Sequence, residues 1–296
     1  MSNPIDRISV RDHMITQAAG TIPFFDALAQ AGLCAFELQI DPDLTTPHVR
    51  QGDGAAYSLA TDAGIAVFRQ ALTAQAVRLS AVLLMTDFSA ANGAEQVQWA
   101  IAAVRLAGKL GAPAVRVDPL TRNKELQQTT VRDNFVAAIR QVLRQTADTG
   151  VDLGIENHGP FGNAPEFLDA VFDAVADPRL GMTLDTGNFY WWGVGLEELY
   201  ALLARYAPRA KHTHMKNINY PPELAKARRP IGLDYGKYCC SLDEGNIDLR
   251  RVIGILTQNG YRRDFCIENE SLGKVPAEMR LGLLNRDVQA LAEAIA

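Results

Sequence analysis

The sequence predicts a (β/α)8 barrel, the TIM-barrel architecture, and three observations carry that expectation. Short β-like runs alternate eight times with amphipathic helical patterns along the 296 residues. The early G-x-G-x-x-G turn of a doubly wound open sheet is missing. Four polar donors, Glu156, Asp185, His214 and Glu268, each close an apolar run. In a parallel β/α protein such strand ends converge on one crevice. The length suits one barrel, read as a single domain over residues 1–296.

Taken in order, the expected strands are Arg7 to Met14, Ala35 to Gln39, Leu79 to Met85, Ala114 to Asp118, Leu153 to Asn157, Gly181 to Asp185, Ala210 to Met215 and Phe265 to Asn269. A helical pattern follows each. From Gly93 to Leu110, Val97, Ile101, Val104 and Ala107 recur at helical spacing, and Gly111 supplies a stop. From Lys124 to Thr149 the stripe is Phe135, Ile139, Val142 and Leu143, with Gly150 marking the turn into the next strand. Two long stretches, Asp41 to Ala60 and Ile218 to Asp243, are rich in Pro, Gly and Tyr and read as loops on the strand C-terminal face.

An apolar fraction of 48% and a net charge of -5 describe an ordinary soluble globular chain, without an 18-residue apolar run for a membrane. Nucleic acid is not favoured as a partner; Arg228 and Arg229 read as a solvated loop rather than a basic patch. Cys34, Cys239, Cys240 and Cys266 show no C-x-x-C spacing and suit a reducing compartment. With no secretory signal pattern at the N-terminus, the expected location is cytoplasmic.

Three carboxylates and one imidazole suit a divalent cation of the Mn, Mg, Co or Zn kind. The mostly oxygen donors favour the harder ions, and no cysteine joins the set to suggest structural zinc. A single such carboxylate would read as a helix cap; four together read as a shared centre.

The chain resembles the xylose-isomerase-like TIM-barrel superfamily of sugar and sugar-phosphate isomerases and epimerases, including keto-sugar 3-epimerases. The resemblance covers nearly the whole chain. It rests on Ile155-Glu-Asn-His158, Leu184-Asp-Thr-Gly-Asn188, His212-Thr-His-Met-Lys216, and Glu244-Gly-Asn-Ile-Asp248 running into Gly260-Tyr261 and Ile267-Glu268. It implies that Glu156, Asp185, His214 and Glu268 bind one divalent metal that holds neighbouring oxygens of a sugar. It further implies that Glu156 and Glu268 act as acid and base on opposite sides of a carbon, through a metal-stabilised enediolate. His212, the first histidine of His-x-His, is then expected to pack behind the site.

Among the supporting residues, His158 and Lys216 are expected near the metal mouth, with Lys216 able to bind a substrate oxygen or phosphate. Arg116 interrupts an apolar strand and should face a carboxylate or a substrate oxygen. Glu37 is expected to bind a sugar hydroxyl or to pair with Arg116. Asn188 is expected among the substrate contacts, at a position where keto-sugar epimerases of the family often carry a histidine. Trp191 and Trp192 could wall a sugar ring or pack against a neighbouring helix or subunit. The residues after His214 depart from the epimerase pattern, and the 218–243 stretch could shape a pocket or a homo-oligomer contact.

The leading functional expectation is thus a metal-dependent sugar isomerase or epimerase with a small carbohydrate substrate. The alternatives are a lyase of the same superfamily, either a dehydratase or a keto-glycoside-cleaving enzyme, and a noncatalytic sugar-binding barrel. A multi-metal DNA-repair endonuclease would need more suitably placed histidines than His13, His48, His158, His212 and His214.

Overall fold

Eight parallel strands close on themselves in a computed structural model that describes residues 3–296. They are β1 (Ile8–Arg11), β2 (Ala35–Gln39), β3 (Arg78–Leu83), β4 (Ala114–Val117), β5 (Asp152–Glu156), β6 (Leu180–Asp185), β7 (Ala210–Met215) and β8 (Phe265–Ile267). Each pairs with its sequence neighbour, and β8 closes the ring onto β1 with Ile8 opposite Phe265. Helices, among them Gly93–Leu110, Gln128–Gln145, Leu196–Tyr206 and Ala277–Ile295, connect the strands. None of the described helices is long and apolar enough to cross a membrane.

The apolar residues that mark the strands in sequence form the layer between barrel and helices. Val10, Phe36, Leu38, Val82, Val115, Leu153, Met182, Leu184, Phe265 and Ile267 are buried in that continuous core. At about 1.5–3 kcal/mol per buried large aliphatic or aromatic side chain, this layer dominates the folding free energy. Alternate residues point inward, and many are polar: Glu37, Arg116, Thr183, His212 and His214 are all buried. A barrel interior is ordinarily filled by branched apolar residues. Here its upper layers carry charge, which is costly to bury and must be paired.

The strand ladders stop short of the mouth, and side chains extend them. Asn157 donates to Asp185 O at 3.0 Å and accepts from Asp185 N at 2.8 Å, joining β5 to β6. Thr186 donates to Lys216 O and accepts from Lys216 N, joining β6 to β7. Thr86 does the same with Asp118 beyond β3 and β4. Asn217 donates to Leu242 O and Ile247 O, and a Cβ at Gly245 would lie 2.0 Å from its amide oxygen. The Glu244-Gly-Asn-Ile-Asp248 segment therefore closes over Asn217, and Asp248 then caps helix Leu249–Gln258.

Several boundaries differ from expectation. The first strand ends at Arg11 rather than Met14, because Met14, Ile15, Ala18 and Ala19 bury one face of helix Asp12–Ala19. The helix expected over Lys124 to Thr149 spans Gln128–Gln145; the Thr146 hydroxyl turns back onto Val142 O and ends it. Met85 lies beyond β3 and is exposed. The Asp41–Ala60 stretch contains an antiparallel ribbon, Thr45–Arg50 with Ala56–Ser58. The Ile218–Asp243 stretch likewise holds a ribbon edge, Cys239–Cys240 against Asn217–Ile218, and two short helices.

Candidate metal centre and active site

Four consecutive strands, β5 to β8, each bring one donor to the same point. One ligand atom from each of Glu156, Asp185, His214 and Glu268 falls within a cluster whose atoms all lie within 4.8 Å of one another, and all four residues are buried. Glu156 and Asp185 end their strands, His214 is the penultimate residue of β7, and Glu268 directly follows β8. Glu156 Oε2, Asp185 Oδ2 and Glu268 Oε2 accept no hydrogen bond of regular geometry, although Arg116 and Lys216 lie close. Buried carboxylate oxygens left this way are costly. Converging, they fit the donor set of a divalent cation.

The charges point the same way. Glu37, Asp118, Glu156, Asp185, Glu268 and Glu270 face three fixed cations, Arg11, Arg116 and Lys216. Negative charge is in excess before any histidine is protonated. Burial works against ionising Glu156, but Arg116 and then His214 outweigh it and hold its carboxyl well below the usual carboxylate range. Burial pushes Asp185 up despite Lys216. Burial also opposes charging His214, yet Glu37 and Glu156 prevail and push the imidazole up to about 9.

His214 presents Nδ1 to the donor cluster, 3.1 Å from Glu156 Oε1 and 3.4 Å from Glu268 Oε2. Its Nε2 lies 2.9 Å from Glu37 Oε2. That contact assigns one imidazole proton to Nε2; the second, on Nδ1 beside Glu156, is the one a metal ion bound here would displace to use the Nδ1 lone pair. Glu37 therefore stands behind the site, fully buried, with His212 Nε2 at 3.3 Å from its other oxygen. Expected to bind a sugar hydroxyl or to pair with Arg116, Glu37 is aimed by β2 across the barrel at β7, with Arg11 at 3.7 Å. His212 packs there as expected.

The other expected residues lie around the cluster. Arg116 is buried and pairs with Glu156 and, at 2.8 Å, with Asp118. His158 Nδ1 sits 3.3 Å from Asp118 Oδ1; burial opposes its charge, but Asp118 and Glu156 raise its pKa. Lys216 is buried, with Nζ 3.3 Å from Asp185, 3.1 Å from Glu268 and 3.5 Å from Glu270. Asn188 donates to Glu156 Oε1 and accepts from Lys216, both at 3.3 Å.

Sequence reasoning missed Arg11, Asp118 and Glu270. Arg11 donates to Glu268, and Tyr235 from the long insert donates to Glu270. Two of them had a signal: Arg11 is a charge closing an apolar run, as Arg116 interrupts one, and Glu270 follows Glu268 by two residues. Arg229 departs from the solvated-loop expectation. It is buried between Tyr190 and Tyr220 and donates to Ala227 O, Tyr190 O, Val194 O and Leu224 O. Trp191 and Trp192 pack on the same insert, Trp191 against Gly232 and Trp192 under Arg228. A larger cavity of about 860 Å³, between the insert and helix Ala277–Ile295, contains none of the four donors.

Comparison with known proteins agrees with this architecture. Inosose dehydratase from Klebsiella pneumoniae is 28% identical over 132 residues, spanning 43% of this chain and 44% of that protein. The chain thus matches under half the length of this relative. A xylose isomerase-like TIM barrel protein from Mycobacterium smegmatis, solved in complex with magnesium, superposes with a TM-score of 0.70 at 18% identity, covering 100% of both chains. The IOLI protein, solved with a zinc atom, superposes with a TM-score of 0.71 at 15% identity over 97% of this chain and 98% of that one. At such identities the two structures speak for the fold. The sequence model of the xylose isomerase-like TIM barrels matches residues 25–286, and the chain belongs to that family.

Proposed function

We propose that this chain is a divalent-metal-dependent enzyme that moves a proton beside the carbonyl of a small carbohydrate, with isomerisation or epimerisation as the outcome. The observation that carries this reading is the buried convergence of Glu156, Asp185, His214 and Glu268, with a glutamate at each end of the four-strand arc. When bound by these four, an ion such as Mn, Mg or Co, or Zn, would hold neighbouring substrate oxygens and acidify the C–H between them.

The chain's own residues supply the rest. One of Glu156 and Glu268 takes the proton from carbon, and the other delivers a proton to the opposite face or the adjacent atom. Arg116 fixes the Glu156 carboxylate, and Arg11 fixes that of Glu268. Lys216 and Asn188, joined over the cluster, offer an ammonium and an amide to substrate oxygens as charge develops there. His158, bonded to Asp118, lies at the half-open edge and relays protons to solvent. The four free thiols suit a reducing cytoplasm.

Dehydration is the second reading, and Lys216 favours it. Its Nζ lies 3.3 Å from Asp185 and 3.1 Å from Glu268 and in this reading protonates a departing hydroxyl, and the sequence relative above is named as a dehydratase. A panel of hydroxy-ketone sugars with added metal in heavy water separates the outcomes. Deuterium in an isomer or epimer supports the first reading and an unsaturated product supports the second. Metal binding with neither exchange nor an unsaturated product refutes both and leaves a binding barrel.

A further inference from the structure

A cavity of about 450 Å³ opens beside the metal cluster, over the C-terminal ends of β2, β3 and β4. Its size lies within the range of small-molecule sites. Asp118 lines it, is 1% exposed, and brings a carboxylate oxygen within 4.8 Å of a ligand atom of Glu156. Asp118 Oδ1 is held by Arg116 at 2.8 Å and by His158 at 3.3 Å. Its Oδ2 has no hydrogen-bond partner, and the residue lines the cavity. A buried carboxylate oxygen left without a donor is costly until one arrives.

We infer that this cavity receives an uncharged, hydroxyl-bearing portion of the substrate, and that Asp118 Oδ2 accepts one of its hydroxyl hydrogens. This rests on the proton-transfer reading of the neighbouring cluster. Three carboxylates line the space, Asp41, Asp87 and Asp118, against one arginine, Arg122. Asp87 is already occupied by the backbone N–H groups of Ser89 and Arg122. The balance is unfavourable for a phosphate and favourable for hydroxyl donors. Met85, 59% exposed, and Trp99 add apolar surface on which the C–H face of a sugar can lie. The geometry thus points to a free sugar or polyol ketone rather than a phosphorylated one.

Saturation-transfer NMR on the metal-loaded protein tests this, with D-fructose, D-tagatose and a keto-inositol as neutral probes and D-fructose 6-phosphate as the anionic counterpart. The neutral probes should bind at millimolar concentration, and fructose more tightly than its phosphate. Asp118→Asn should weaken neutral-probe binding about ten- to hundredfold, the effect of losing a hydrogen bond to a charged group. Because Asp118 also holds Arg116, Met85→Trp provides a second variant at an exposed position, and it should weaken binding by narrowing the cavity. Tighter binding of the phosphate, unchanged affinity in both variants, or no neutral probe bound would overturn the inference. Deuterium exchange scores the reaction separately: binding lost in Asp118→Asn without exchange in wild type sinks the reaction alone, and exchange with both variants unaffected sinks the cavity alone.

Discussion

Replacing Glu37 with glutamine keeps the side chain's size and removes the charge behind His214. In the native chain Glu37 Oε2 lies 2.9 Å from His214 Nε2, and Oε1 lies 3.3 Å from His212 Nε2. Burial disfavours its charge, yet the two histidines hold its carboxyl well below the usual range, so it is an anion facing both rings. A glutamine can accept from one imidazole and must turn its NH2 toward the other. The expected cost is about 10–100-fold in metal affinity, the usual effect of losing such an outer partner, or about 1.4–2.8 kcal/mol. Competition of the purified protein against a chelating dye measures this, with circular dichroism confirming the fold. An unchanged metal affinity together with a raised KM would refute the reasoning and return Glu37 to the substrate.

Two further substitutions test the supports of the site. Asn157→Ala removes both bonds to the Asp185 backbone and should destabilise the barrel by about 2–4 kcal/mol in chemical denaturation, since each buried group left unpaired costs about 1–3 kcal/mol; a loss under half a kcal/mol would show that the ladder holds without it. Arg229→Ala strips the donor from four carbonyls of the insert and its neighbours. It should expose residues 218–243 to limited proteolysis at temperatures where the barrel is still folded, and an unchanged cleavage pattern would contradict that role.

Much of the fold is legible because each barrel strand writes its outward face as an apolar run. Leu153 and Ile155, or Leu180, Met182 and Leu184, pack into the apolar core, and the donors Glu156 and Asp185 follow directly after them. Glu156, Asp185 and Glu268 stand out because each closes such a run, and His214 because it ends the His-x-His pair. Boundaries are less legible: Met14 belongs to an apolar run and also to a helical stripe, and only its burial with Ile15, Ala18 and Ala19 decides between them. Glu37 and Arg229 could not be placed from sequence for a different reason. Their partners come from β7 across the barrel and from four carbonyls scattered over residues 190–227. Such contacts follow from closure of the whole chain and leave no local pattern.

The most direct test of the account is elemental analysis after dialysis, paired with solvent-deuterium exchange on the hydroxy-ketone panel, for wild type and Glu268→Gln. The account predicts one equivalent of divalent metal and deuterium at the carbon beside the carbonyl in wild type. In the variant it predicts a folded protein whose exchange falls by at least about a hundredfold, the lower range for loss of a positioned acid or base. A wild-type protein that binds no divalent metal, or a Glu268→Gln variant that exchanges at the wild-type rate, would contradict it.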